Sequence, residues 1–399
     1  MTPVRILADD LTGALDSAAR FVPLTGPLAV VWTTEDMPAS AAIDAGTREL
    51  SVEAARSVTA RLAPFLTAGN LLRPNSAVDQ AHPARTPLPL VGQSLPPGFD
   101  PGVGAATAAS GEGASNISLT RRGGEANTRR KDIIAFKKID SLLRGHVAVE
   151  LAACMSHFDH CVLAPAFPFQ GRITRDGRQL TRDGDNWRDT GVDLAAALQA
   201  EGLTVPVRDA ETDADLNAIV AQGRRLTGRV LWCGTGGLAG ALAERRAVPC
   251  PTLPRPILAL IGSDHPVSVA QLVAVPALHR LLPGDAQALA SLLANGGAAV
   301  TVAIAPGTRR DAACHAIVAH FRSLLDSIKR PGTLMVAGGE TLRRLCDALG
   351  ATRLEVDGEV EPGAPMSLLR GGAWDGQRIV SKSGAFGAPD FLARLMAVC

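Results

Sequence analysis

The stretch Val4-Arg5-Ile6-Leu7-Ala8-Asp9-Asp10-Leu11-Thr12-Gly13-Ala14-Leu15 decides the fold. Val4–Ala8 is a short apolar run that ends in two carboxylates, and it reads as a buried strand. Ala14, Leu15, Ala18, Ala19 and Val22 then recur at helical spacing, so a helix follows the Asp-Asp turn. A strand, a polar turn and a helix in that order open an α/β unit. Ligands of such units gather beyond the carboxyl ends of the strands.

The same alternation continues outward. Apolar runs at 28–32, ending near 43, and at 132–139, 160–163 and 229–232 read as strands. Helices are expected over 51–66, 147–158, 191–201 and 216–226, the last capped by Asp213 or Asp215. Four prolines within 249–256 mark a domain boundary. Beyond it the pattern restarts, with strands at 257–261, 299–303, 333–337, 354–356 and 378–380 and a helix at 311–327. The expectation is an α/β fold of two domains, 1–249 and 250–399, each with a mainly parallel sheet flanked by helices. Between them in character stands a segment of about 69–131, rich in Pro, Gly, Ala, Ser and Thr and without period. It reads as a flexible insertion with a basic end at Arg121, Arg122, Arg129, Arg130 and Lys131.

Composition removes several functions. A formal net charge of +1 over 399 residues gives no field for nucleic acid or an anionic membrane surface. The absence of Tyr and a low aromatic content leave no base-stacking platform. No apolar run approaches the roughly 20 residues of a membrane span. The N-terminus lacks signal-peptide character, and seven scattered Cys suit a reducing compartment, so the chain reads as cytoplasmic.

Four groups of residues then carry the chemistry. Asp9 and Asp10 at the first strand end suit substrate hydroxyls or a general base, although an Asp in that place is also an ordinary helix cap. Arg48 and the run Lys138-Ile139-Asp140-Ser141-Leu142-Leu143-Arg144 supply cations for a carboxylate, with Lys138 at an apolar strand end. Residues 165–180, including Gln170, Arg172, Thr174, Arg175 and Arg178, read as a donor-rich loop or an irregular connection. The fourth group is glycine-rich: Gly262-Ser263, Gly338-Gly339-Glu340-Thr341 and Lys382-Ser383-Gly384-Ala385-Phe386-Gly387. Backbone N–H groups of such turns approach phosphate closely, and Lys382 adds a point charge. No P-loop G-x-x-x-x-G-K-[ST] occurs. Gly234-Thr235-Gly236-Gly237-Leu238-Ala239 fits a dinucleotide fingerprint but also a tight helix-packing turn. Cys154, His157, His160 and Cys161 straddle a helix and a strand and do not converge as a metal site.

Together these stretches resemble the four-carbon acid sugar kinase family. The match runs in order through Ala8-Asp9-Asp10-Leu11-Thr12-Gly13-Ala14, 137–145, 165–177, 209–216, 234–243, Gly262-Ser263, 338–341, Pro362-Gly363-Ala364-Pro365 and 382–387. The chain departs from the family pattern at Leu142, His146, Gln179 and Ala385. The resemblance implies a substrate domain followed by a nucleotide domain, ATP with Mg²⁺, and phosphorylation of a threonate-, erythronate- or 3-oxo-tetronate-type acid at its 4-hydroxyl. It implies Asp9, Asp10, Arg48, Lys138, Asp140 and Ser141 around the sugar acid, with Arg144 beside them. Ser263, Gly338, Gly339, Glu340, Thr341, Gly384, Ala385, Phe386 and Gly387 then line the ATP site. Asp10 or Asp140 is expected as the base and Lys382 as the phosphate clamp, with no protein-only metal site. The partners implied are a small sugar acid, no nucleic acid and no membrane; the oligomeric state stays open, with a homodimer among the arrangements. A nicotinamide-dependent hydroxy-acid dehydrogenase, resting on 234–239, is the alternative, and a non-catalytic sugar-acid sensor a third reading.

Overall fold

The computed structural model describes residues 2–33, 37–67, 133–275, 278–281 and 286–397. The insertion read at about 69–131, with its basic end, lies outside the described residues. In the first half the elements are β1 (Val4–Ala8), α1 (Leu11–Thr25), β2 (Leu28–Val31), β3 (Ala41–Asp44), α2 (Val52–Leu62), β4 (Ile134–Lys138), α3 (Val147–Met155) and β5 (His160–Ala164). They continue as β6 (Arg172–Arg175), β7 (Arg178–Asp183), β8 (Asn186–Asp189), α4 (Leu194–Ala200), α5 (Asp213–Gly223), β9 (Val230–Gly234) and α6 (Gly236–Leu242). The second half holds β10 (Ile257–Ile261), α7 (Pro266–Val273), β11 (Leu278–Leu281), α8 (Ala286–Ala294), β12 (Gly297–Val302), α9 (Arg310–Ser327) and β13 (Thr333–Ala337). It closes with α10 (Gly339–Ala348), β14 (Arg353–Glu359), β15 (Pro365–Arg370), β16 (Arg378–Lys382) and α11 (Phe391–Ala397).

Parallel strands occur in both halves, as the alternation predicts, but instead of a separate sheet in each they join, among the described residues, into one 13-stranded sheet. Its order is β11-β12-β10-β13-β16-β15-β14-β2-β3-β1-β4-β9-β5. The β14–β15 hairpin makes the join: β15 runs antiparallel to β16, and β14 antiparallel to both β15 and β2. Three antiparallel steps set the two parallel blocks in opposite directions. A twist of roughly 20–25° per strand, accumulated over the six steps from β13 to β1, swings their carboxyl ends back toward one another. Strand alternation divides the core accordingly. Ile6 and Leu258 face one apolar cluster that spans both halves. Leu7 faces a cluster confined to the first half, and Ala259 one confined to the second.

Two local expectations are corrected. Residues 165–180 are not an irregular loop: β6, β7 and β8 form a separate three-stranded antiparallel sheet. Its tight turn at Asp176-Gly177 takes positive φ at both residues, 51° and 71°, a hairpin geometry hidden among the polar residues around it. The helix expected at 216–226 is α5, which starts earlier because Thr212, not an Asp, is its cap. Thr212 and Asp215 exchange hydrogen bonds in a capping box.

Candidate active site

Sheet register builds the site. Ala8 is level with Asp44 on β3 and Lys138 on β4, so the residues following each strand meet at one edge. In the second half Ile261, Ala337 and Lys382 are level, which brings Gly262, Gly338 and Ser383 together. The two edges share one cleft. Asp10, Thr12, Gly13, Asp16, Arg48, Lys138, Asp140, Ser141, Arg144 and Arg172 line it from the first half. Gly363, Pro365, Ser381, Lys382, Ser383, Ala385 and Phe386 line it from the second.

The first-half wall is a closed charge network. Arg48 donates to both oxygens of Asp9 from Nε and Nη2, at 2.8 and 3.0 Å, and from Nη1 to Asp10 Oδ2 at 2.6 Å. Its Nη2 also stands 3.6 Å from Asp140 Oδ1. Asp10 caps α1 by accepting from Gly13 N at 2.8 Å and accepts from Thr12 Oγ1 at 2.7 Å. The cap and the site reading therefore both hold for this residue. Arg144 forks onto Asp140 at 2.7 and 2.8 Å, and Asp140 also accepts from the Leu142 and Arg144 backbones. Burial opposes ionisation of Asp10 and Asp140. The charges of Arg48 and Lys138 outweigh it for Asp10, as do the Arg144 fork, Arg48 and Lys138 for Asp140, and both carboxyls stay below the usual range. Burial would lower the Arg48 pKa, but Asp10, Asp9 and Asp140 drive it well upward. Lys138 Nζ donates to Ile139 O at 2.8 Å. Behind the wall Lys137 pairs with Glu150 at 2.6 Å, fully buried, and burial pushes the neighbouring Cys154 and Cys233 thiols up to about 12.

Asp44 stands beside this network as a further carboxylate. Burial first, then the charges of Asp10 and Asp9, push its pKa up to about 7 against the opposing charge of Arg343. Asp44 Oδ2 lies 3.6 Å from Arg343 Nε of α10, and that guanidinium sits 4.5 Å over the Trp32 ring.

The small sheet braces the wall from the side. Gln179, fully buried on β7, donates to Ser141 O at 3.0 Å and Pro165 O at 3.2 Å and accepts from Thr174 Oγ1 at 2.8 Å. Arg172 donates to Ser141 Oγ from Nη1 and lies 5.5 Å from the Phe386 ring centre of the second half.

The second-half wall is made of backbone. A Cβ added at Gly384 would collide with the Ser263 side chain, and one at Gly262 with the Thr341 side chain, so neither turn takes a side chain unless those residues move. Gly338 has φ +109° and leads into α10. A Cβ at Gly339 would come 3.1 Å from Thr12 Cγ2 and 3.5 Å from Asp10 Oδ2, so the start of α10 lies against the start of α1. Lys382, 2% exposed, donates to Ser383 O at 3.0 Å and Ser268 Oγ at 3.4 Å. Burial lowers its pKa to about 8, with the charge of Glu361 opposing. Glu340 is engaged by Arg344 at 2.6 Å, away from the cleft lining. Gln271 holds the 382–387 turn by donating to Phe386 O and Ala388 O.

Sequence reasoning overlooked Asp16 and Ser381 and left Arg172 within a loop. Asp16 follows Thr12 and Gly13 by four and three positions on α1, a spacing that places it on the face they present to the cleft. It is buried 3.8 Å from Arg20, with Oδ1 unpartnered. The 234–239 turn is fully buried, packed on Ala166, Phe167 and Asp16, and so serves helix packing. Among the described residues, no group of three or more His, Cys, Asp or Glu is placed to hold a metal ion, and no helix is long and apolar enough to cross a membrane.

Facing walls of this kind, one charged and one of glycine turns, at the strand ends of an α/β sheet define a small-molecule phosphotransferase. A model described as a nucleotide-binding C-terminal domain matches residues 258–392, and one described as a sugar-binding N-terminal domain matches 120–194. A D-threonate kinase of Cupriavidus necator is 31% identical over 69% of this chain and 81% of its own length. A 3-oxo-tetronate kinase of Methylobacterium radiotolerans is 30% identical over 50% of this chain and 55% of its own. The chain belongs to the four-carbon acid sugar kinase family and is a carbohydrate kinase that uses ATP. A Salmonella typhimurium protein described as a tRNA synthase superposes with TM-score 0.63 at 19% identity, over 100% of this chain and 99% of its own. A Haemophilus influenzae protein does so with 0.58 at 18%, over 99% and 100%. At such identities the likeness is one of fold alone.

Proposed function

We propose that the protein transfers the γ-phosphoryl of ATP to the 4-hydroxyl of a four-carbon sugar acid of the threonate, erythronate or 3-oxo-tetronate type. Residues 1–249 would present the acid and 250–399 the nucleotide. The observation that carries the reading is the shared cleft, which Asp10, Thr12, Asp140 and Ser141 line from one half and Lys382 from the other, with Gly339 at the start of α10 set against Thr12 and Asp10.

The charged wall suits a hydroxyl-rich acid, since its carboxylates are fixed by Arg48 and Arg144 before any ligand arrives. The turns at Ser263, at Gly338-Gly339 with Thr341 and at 384–387 would approach the phosphates through backbone N–H groups. Lys382 would hold the transferring group as a point charge. Asp10 is the better placed of the two candidate bases because it lies at the junction with α10; the oxygens of both carboxylates are engaged, those of Asp10 by Gly13, Thr12 and Arg48 and those of Asp140 by Arg144. Its low basicity fits a loose transition state, in which the hydroxyl gives up its proton late. Mg²⁺, borne on the phosphate oxygens of the nucleotide, would neutralise the charge that develops there.

The test is an ATP-dependent phosphorylation assay across threonate, erythronate and 3-oxo-tetronate stereoisomers, with the product located by NMR. A 4-phosphorylated acid is expected. Absence of phosphorylated product from every acid ends this reading.

A further inference from the structure

We propose that Arg172, not the more conspicuous Arg48, is the receptor for the substrate carboxylate and thereby sets the preference for an acid over a neutral polyol. The assignment rests on the sugar-acid kinase reading of the cleft and deepens it.

A cation can receive a ligand carboxylate only if its donors are not already taken. All three nitrogens of Arg48 are committed to Asp9 and Asp10, and Arg144 gives its fork to Asp140. With Lys138 alongside, three cations offset the three carboxylates Asp9, Asp10 and Asp140, so that cluster holds no cation in excess of its own carboxylates.

Arg172 differs. Its residue is 7% exposed, and it makes no ion pair among the described residues. Asp140 and Asp16 act on it only from beyond pairing distance, and Asp16 itself stands 3.8 Å from Arg20. Its Nε is buried without an acceptor. A buried guanidinium in this state is costly unless an anion completes it, and its planar fork matches a carboxylate.

The site is also built to hold the group still. Ser141 Oγ accepts from Nη1, the Phe386 ring covers the guanidinium, and Gln179 ties the β6–β7 hairpin to Ser141 and Pro165. Phosphate has its own provision in Lys382 and the glycine turns, which leaves Arg172 for the other anionic end of the substrate pair. Phe386 belongs to the 382–387 turn, so the carboxylate receptor is stacked against the nucleotide wall.

The experiment is calorimetric binding of threonate and erythronate, of the matching neutral tetritols and of Mg-ATP to the full chain. Wild type, Arg172→Gln and Arg172→Lys are compared, with thermal unfolding as the control for folding. Arg172→Gln is expected to weaken acid binding roughly 100-fold while leaving tetritol and Mg-ATP affinities within about twofold. Arg172→Lys should recover part of the acid affinity, because charge returns without the fork. If Arg172→Gln does not fold, Arg172→Lys carries the test through its loss of acid-over-tetritol discrimination. Unchanged acid affinity in a folded variant, or equal losses for acid and tetritol, overturns the proposal. Loss confined to Mg-ATP also overturns it, by assigning Arg172 to the γ-phosphoryl. Acid binding by wild type that is lost in the variants, but without turnover, sinks the kinase reading and leaves the Arg172 assignment standing. Failure of wild type to bind any four-carbon acid removes both.

Discussion

The two walls of the cleft occupy equivalent places, the carboxyl ends of parallel strands, yet they are built from opposite materials. On the first wall Asp9, Asp10 and Asp140 are locked by Arg48 and Arg144 through bonds of 2.6–3.0 Å. On the second, the close approaches are made by glycines, and the buried cation Lys382 hydrogen-bonds, among the described residues, to Ser383 O and Ser268 Oγ. A hydroxyl-rich acid needs fixed donors and acceptors at particular points, which side chains supply. A polyphosphate needs many N–H groups within reach, which backbone supplies if nothing projects between. The first wall should therefore fail structurally when a charge is removed, and the second should fail functionally while staying folded.

Arg48→Met breaks the comparison at its strongest point. It strands Asp9 and Asp10 without their partner, and a loss of about 3–5 kcal/mol is expected in denaturant unfolding. A variant that loses activity but keeps its unfolding midpoint would show that the network is not what holds this wall. Lys382→Met should do the reverse: kcat falls roughly 10²–10³-fold with the midpoint unchanged or raised. Its pH dependence follows from the folded pKa of about 8, below the ordinary 10.5. The clamp loses its charge as pH rises through 8, so kcat/KM should fall there. Between about 8 and 10.5 the unfolded chain binds the proton that the folded one has released, so this group makes stability rise with pH across that window. Gly384→Ala is the milder probe of the backbone wall. The added methyl meets Ser263 Oγ, and overpacking of about 1–3 kcal/mol should raise KM for ATP about tenfold or more and leave sugar-acid binding alone.

The sequence made the two walls visible to very different degrees. Strands such as β10 and β13 are continuous apolar runs, and their bounds, Ile257–Ile261 and Thr333–Ala337, are those the pattern predicts. The glycine turns after them were equally legible as turns, although the like run at 234–239 after β9 serves helix packing. The join was not. β15, which begins at Pro365, was not read as a strand although it pairs with its chain neighbours β14 and β16, and nothing in the composition of β14 reveals that it takes the distant β2 as its other neighbour. On the charged wall the residue types were readable but their allegiances were not. Arg48 and Arg172 look alike as letters, and only the fold shows that one is spent on Asp9 and Asp10 and the other is not. The β6–β8 sheet escaped notice because its polar, half-exposed strands lack the clean alternation that marks a buried face.

The smallest predicted effect tests whether the first wall carries more negative charge than it can settle. Asp44 sits level with Ala8, accepts from Gly46 N at 2.9 Å and reaches Arg343 only at 3.6 Å. Burial, together with the charges of Asp10 and Asp9, lifts its pKa to about 7. The folded chain therefore holds a proton between about 3.8 and 7 that the unfolded chain has released. On that account stability falls as pH rises across the window and stays reduced above it. Asn at this position accepts the Gly46 bond without a charge, and Arg343 keeps Trp32 beneath it. Asp44→Asn should then flatten this part of the pH profile and gain about 1 kcal/mol over wild type at pH 8 relative to pH 5, read from urea midpoints at the two pH values. Equal shifts at both would mean that Arg343 already neutralises Asp44. The excess of carboxylate would then end at Asp10, and the closed network of the first wall would extend across the cleft to α10.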